Sequence, residues 1–238
     1  MRRAAGLILI KPRRRRGARI GGVSTLTKVA LSFVGKLKPD RVKARAIAPS
    51  IALARPDTQG GIALMQALAK RRSCREFSGG ALPHVVLSSL LWAAFGVNRP
   101  ESNGRTAPSA LGAQEIDVYA ALAGGLYIYD PFAHSLSLVA AVDARKVTGY
   151  QDFVDEAPLD LVYVADHAHM GVVPSESRHA YSAVAAGAIA QNVYLYCASA
   201  GLVTVVRAWL DRAAVSQALR LSEHEQVIIA QTVGYPRA

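Results

Sequence analysis

The chain has 238 residues, 51% of them apolar, which is enough for a full hydrophobic core, and it carries a formal net charge of +11. Residues 1–50 hold 14 of the 28 Lys and Arg against one acid, Asp40, for a net +13, so the rest of the chain stands at −2 and speaks against a nucleic-acid-binding folded body. Two widely separated cysteines, Cys74 and Cys197, supply neither a disulfide framework nor a zinc site.

Residues 1–60 read as a basic, poorly ordered leader and 61–238 as the folded domain. The leader contains Lys11-Pro12-Arg13-Arg14-Arg15-Arg16 and short apolar runs broken by Lys28, Lys36 and Lys38, and no window reaches the roughly 20 apolar residues of a membrane span. Its Arg-rich, acid-poor composition resembles an organelle transit segment, while Ala52-Leu53-Ala54 loosely suits a signal-peptidase site. A nucleic-acid-binding arm and a segment with no function of its own are the other readings. The cytoplasm is the expected location, with export as the alternative if the leader is a targeting segment.

Ile62, Leu64, Met65, Leu68 and Ala69 recur at helical spacing, which predicts a helix with Arg71 and Arg72 in its last turn. The stretch that follows, Lys70-Arg71-Arg72-Ser73-Cys74-Arg75-Glu76-Phe77, has two readings. Cations at a helix C-terminus complement its dipole; alternatively Arg71, Ser73 and Arg75 converge on a phosphate, which guanidinium forks bind with charge-assisted bonds. Leu82-Pro83 opens a second helix, Leu87 to Phe95, and Asn98 to Pro108 reads as a loop. Glu115 to Leu122 and Leu126 to Tyr129 form a predicted β-hairpin, with strands at Leu136 to Val139 and Leu159 to Ala165. Ser177 to Ala200 reads as a central buried helix whose Ala183, Ala186, Gly187 and Ala190 admit a close neighbour, and Gly201 ends it. A strand over Leu202 to Val206, a helix capped by Asp211 and a last strand, Gln226 to Val233, complete an α+β fold with a mostly antiparallel sheet.

Several chemistries lack their motifs. There is no Gly-x-Gly-x-x-Gly after a strand, no Walker loop and no Gly-x-Ser-x-Gly elbow, and His167, His169, Glu176 and His179 fit no standard metal-ligand spacing. What remains is an ordered set: Arg71-Arg72-Ser73-Cys74-Arg75, then Arg105-Thr106-Ala107-Pro108-Ser109-Ala110 with Gln114, then Gly201 to Ala208, then Val233-Gly234-Tyr235-Pro236.

These motifs, with Ile189-Ala190-Gln191-Asn192-Val193-Tyr194-Leu195-Tyr196 between them, resemble the FMN-dependent nitroreductase family over about Ile62 to Pro236, in particular its branch with an Arg-Thr-Ala-Pro-Ser-Ala loop. The resemblance implies a homodimer with FMN between subunits, NAD(P)H as electron donor, and a nitroaromatic, quinone or similar small molecule as acceptor. Arg71, Arg72, Ser73 and Arg75 would hold the FMN phosphate and ribityl chain. Pro108, Ser109 and Ala110 would come from the other subunit to cover the flavin ring, with Gln114 nearby, and the segment at Arg207 and Ala208 would offer backbone N–H groups to the flavin edge. No catalytic side chain and no metal is implied, because the flavin carries the chemistry. Two features depart from the branch: Gly112 stands where Asn is usual, and only Arg237 and Ala238 follow Pro236. A non-catalytic, flavin-binding member of the fold is the alternative.

Overall fold

The computed structural model describes residues 50–237. Among the described residues, ten strands and four α-helices follow in chain order: β1 (Ser50–Ala52), α1 (Leu64–Lys70), β2 (Phe77–Ser78), α2 (His84–Phe95), β3 (Val97–Arg99), β4 (Gly104–Arg105), β5 (Ile116–Leu122), β6 (Gly125–Asp130), β7 (Ser135–Ala140), β8 (Leu159–Asp166), α3 (Ser175–Ala200), β9 (Val203–Arg207), α4 (Arg212–Leu219) and β10 (Glu225–Pro236). Eight strands make one sheet in the order β1-β7-β6-β5-β8-β10-β2, with β9 also on β10, and every named pairing in it is antiparallel. The expected α+β fold is the one observed.

Strand alternation divides the interior in two. On β8, Leu159, Leu161 and Tyr163 face one core with α2 and α3, whereas Val162 and Val164 face a second core with Val215 and Leu219 of α4. Because both faces are covered, β8 is buried along its whole length. Buried polar groups tie the layers: Tyr163 Oη donates to Gln231 Oε1 at 2.6 Å, and Gln231 Nε2 donates to Ala190 O of α3 at 3.3 Å. Gly201 closes α3 with φ +71° and donates to Cys197 O, a left-handed turn that glycine adopts without a Cβ clash.

The structure departs from the sequence expectations in four places. Ser50–Ala52 lies inside the expected leader yet pairs with Ser135–Ser137, and Ala54 O accepts hydrogen bonds from Ser88 Oγ and His134 Nε2, so the Ala52-Leu53-Ala54 step is built into the fold. Residues 1–49, which carry the rest of the leader readings, lie outside the described residues. Helix α1 ends at Lys70 with Arg71 as its cap, two residues short of Arg72, which the spacing predicts in its last turn. The loop from Asn98 contains the small β3-β4 hairpin. Lastly, α3 buries only the face with Ala186, Ile189, Ala190 and Val193; Ala183, Val184, Gly187 and Gln191 are exposed, so this helix is not buried all round.

Glu115, just before β5, is completely buried, and neither carboxylate oxygen has a hydrogen-bond partner among the described residues. Burial pushes its carboxyl above the ordinary value, because a charge there is not solvated. A raised folded-state value means that the stability tied to the neutral acid is present below the ordinary glutamate range and is lost as pH climbs through the folded value. Glu115→Gln is expected to flatten this loss, and denaturant unfolding of both proteins between pH 4.5 and 8 should show the native chain falling relative to the variant as pH rises.

Candidate active site

Beyond Lys70 the chain turns extended and runs beside β9: Ser73 bridges Thr204 in parallel, and Cys74 N donates to Thr204 O at 3.0 Å. That contact fixes which edge of β9 is free of β10. Amides alternate sides along a strand, so Val206 and then Ala208 follow Thr204 on this edge, whereas Arg207 faces β10 opposite Ala230. Val206 N donates to Tyr194 Oη at 3.0 Å, and the same hydroxyl shares a 2.8 Å hydrogen bond with Ser73 Oγ. The Arg71 guanidinium lies over the Tyr194 ring, 5.3 Å from its centroid, in a cation–π contact.

Around this junction lies a cleft of about 450 Å³, lined among others by Lys70, Arg71, Arg72, Tyr194 and Thr204. Its floor includes Cys197, whose thiol burial pushes up, so it acts as a small hydrophobe. No carboxylate lines the cleft, and none pairs with Arg71, Arg72 or Arg75 among the described residues. A volume of this size suits a small ligand, and the donor set of guanidinium, ammonium and hydroxyl groups suits an anionic one such as a phosphate ester. Arg75 is exposed and does not line the cleft.

The second expected cluster stands apart from the first within one chain. Arg105 is buried, its guanidinium between the rings of Phe95 (5.1 Å) and Phe132 (4.4 Å), and burial pushes its pKa down to about 10. Its Nε donates to Gln114 Oε1 at 2.9 Å; Gln114 Nε2 donates to Asn103 O and Gln114 N to Ser109 Oγ, each at 2.9 Å. Gln114 and Ser109 are thus engaged within the loop, and Pro108, Ser109 and Ala110 do not line the Arg71 cleft of their own chain. Gly112 has φ +69°, between Leu111 at +55° and Gln114 at +50°. Glycine and asparagine are the residues that tolerate this region best, which explains the exchange at this position.

Arg207 contributes no side chain to the cleft. Its side chain is buried on the opposite side of the sheet, where Nη2 donates to Asp160 Oδ1 at 2.7 Å and Nε to Thr232 Oγ1 at 2.8 Å, while Nη1 donates to Thr148 O at 2.7 Å. The Arg207 side chain is therefore not available to a ligand in the cleft. Two groups that the sequence reading did not single out complete the site: Tyr194, in a stretch that reads as plain helix, and Lys70. The adjacency of Tyr194 to Ser73 arises only when α3 packs on β9.

Fold and site together define an α+β domain with a cleft lined by cationic and hydroxyl groups beside a strand edge. A sequence profile described as "Nitroreductase family" matches residues 68–235, and the chain belongs to this family. A Methanocaldococcus jannaschii protein with a provisional nitroreductase name is 31% identical over 183 residues, spanning 71% of this chain and 89% of its own. Among solved structures, a nitroreductase, so named provisionally, from Ralstonia eutropha JMP134 is 51% identical with a TM-score of 0.77, over 85% of this chain and 96% of that one. Another of the same provisional description from Anabaena variabilis is 21% identical with a TM-score of 0.71, over 84% of this chain and 44% of its own, and shares the fold.

Asp160 supports this site from behind the sheet. Burial outweighs the pull of Arg207 and pushes its carboxyl up to about 6, so the pair is ionised at pH 7.5. Asp160→Asn would leave the Arg207 guanidinium in a dry site without its anion, and such broken pairs cost about 3–5 kcal/mol. Urea unfolding at pH 7.5 is expected to show a loss of that order, with a larger difference at pH 5, because a carboxyl raised in the folded state gives the native chain stability that is lost as pH climbs through the folded value.

Proposed function

We propose that the chain is a homodimeric, FMN-dependent oxidoreductase that takes electrons from NAD(P)H and passes them to a nitroaromatic, quinone or similar acceptor. The observation that carries this reading is the pair Arg71 and Arg72, free of carboxylate partners among the described residues, lining the cleft beside Thr204 of β9. When bound, FMN supplies the redox chemistry, receiving a hydride from NAD(P)H and returning two electrons to the acceptor. The protein's part is binding and orientation. Arg71, Arg72 and Ser73, with Arg75 beside them, would hold the phosphate and ribityl chain, and the edge at Val206 to Ala208 would direct backbone donors to the flavin rim, where charge develops on reduction. Arg207 would act through its backbone position, its side chain serving the fold.

The homodimer is supported by apolar surface that one chain leaves in water. Leu64, Met65 and Leu68 on α1 and Tyr181 and Val184 on α3 are exposed, with Met65 at 74% and Val184 at 73%, and a groove of about 390 Å³ lined by Leu64, Trp92 and Leu195 lies between α1, α2 and α3. A second copy would cover this surface and bring Pro108, Ser109, Ala110 and Gln114 of one chain toward the Arg71 cleft of the other. Among the described residues no helix is long and apolar enough to cross a membrane.

Purified protein is expected to show flavin absorbance that NAD(P)H bleaches; colourless protein that takes up no added FMN would refute the assignment. Arg71→Ala should weaken FMN binding about ten- to a hundredfold, the worth of one charge-assisted bond, and leave the weak binding of riboflavin, which lacks the phosphate, nearly unchanged. Equal losses for both ligands would return Arg71 to a helix-end role. Light scattering at micromolar concentration should give the mass of a dimer, and Met65→Lys combined with Val184→Lys should shift it toward the monomer.

A further inference from the structure

Tyr150 and Trp209 are 55% and 71% exposed, yet they pack on each other, with ring centroids 5.5 Å apart and planes inclined at 53°. They come from different segments, and one buried side chain anchors both. Arg207 Nη1 donates to Thr148 O at 2.7 Å and to Gln151 Oε1 at 3.4 Å, and Gln151 Nε2 donates to Trp209 O at 3.3 Å. Between them Gly149 has no room for a side chain, since a Cβ there would lie 1.8 Å from Arg207 Nη1. The aromatic pair thus rests on a base pinned to the Asp160–Arg207 ion pair.

Its position connects it to the cleft. Trp209 follows Ala208 directly and lies three residues beyond Val206, whose amide meets the Tyr194 hydroxyl that also holds Ser73. At about 3.3 Å per residue that is roughly 10 Å along the chain. Arg71 and Arg72 line the cleft beside Thr204, and Trp209 lies just past the C-terminal end of β9.

We infer that Tyr150 and Trp209 form an aromatic platform on which the planar ring of the electron acceptor stacks, which selects quinones and nitroarenes over acceptors without a ring. The electron-rich faces of a phenol and an indole favour an offset stack with an electron-poor ring. This inference rests on reading the cleft as the flavin site. Each substitution, Trp209→Ala or Tyr150→Ala, is expected to raise the KM for 1,4-naphthoquinone about three- to tenfold, the scale of one aromatic pair. Turnover with ferricyanide, which has no ring, and the rate of flavin bleaching by NADPH should be unchanged, and Trp209→Phe should restore most of the naphthoquinone KM. Equal changes with both acceptors would overturn the platform, as would conversion of the dimer to a monomer by Trp209→Ala, which would make the pair a subunit contact. A second measurement is independent of flavin: 1,4-naphthoquinone should quench indole emission of the FMN-free chain saturably, and Trp209→Phe should abolish the saturable part. Purely linear, collisional quenching would overturn the platform. Failure to take up FMN together with saturable quenching would count against the cofactor assignment alone.

Discussion

A guanidinium buried behind a β-sheet has to be met by an anion and by enough acceptors to replace its water, and Arg207 is met by Asp160, Thr232 and Thr148. Desolvating both charges costs several kcal/mol, which a buried pair recovers only through good geometry and satisfied hydrogen bonds. Thr232 contributes to both sides, accepting from Arg207 Nε and donating to Asp160 Oδ1 at 2.5 Å. The network joins β8, β9 and β10 to the segment after Arg145 at one point. Register at β9 is fixed there, and a slip of one residue would turn Arg207 into the helix-side core and the wrong amides toward the cleft.

The cleft inherits its form from that register. With Arg207 held on one side of the sheet, Thr204 and Val206 present their backbone groups to Cys74 and Tyr194 on the free edge. The cationic side chains then come from outside the sheet, on the extended segment beyond α1. This division leaves the arginines, half-buried or exposed, in contact with water beside a rigid strand edge.

The two buried arginines show different solutions to one problem. Arg207 has a carboxylate; Arg105 has an amide, a carbonyl and two aromatic faces, with no carboxylate in salt-bridge contact among the described residues. In Arg105 burial dominates and the pKa falls to about 10, still far enough above neutrality to keep the charge. Its hold on Gln114 fixes the loop that carries Pro108 to Ala110, where three neighbouring left-handed residues give a sharply folded backbone. A loop so constrained suits a role in contacting another chain better than a role in its own cleft, from which it is separate.

The sequence by itself determined the elements whose signal is local. Helical spacing marks α1 and α3, Leu82-Pro83 opens α2, the apolar and β-branched content from Leu159 to Ala165 marks a strand, Asp211 caps α4 by accepting from Ala214 N, and Gly201 ends α3. The order of the arginine, Pro-Ser-Ala and Gly-Tyr-Pro motifs was likewise legible, and with it the family. Tertiary structure alone decided what depends on pairing across distance. Ser50–Ala52 becomes a strand because β7 has an open edge, not because three residues carry a periodic pattern. Arg207 reads on paper as a backbone donor with no assigned side-chain role, and only the fold shows its side chain turned inward onto the buried Asp160. Tyr194 becomes part of the cleft only because helix packing brings its hydroxyl to Ser73 and Val206. A residue's type and spacing state which contacts it can make; the energy of burying its neighbours selects which one it makes.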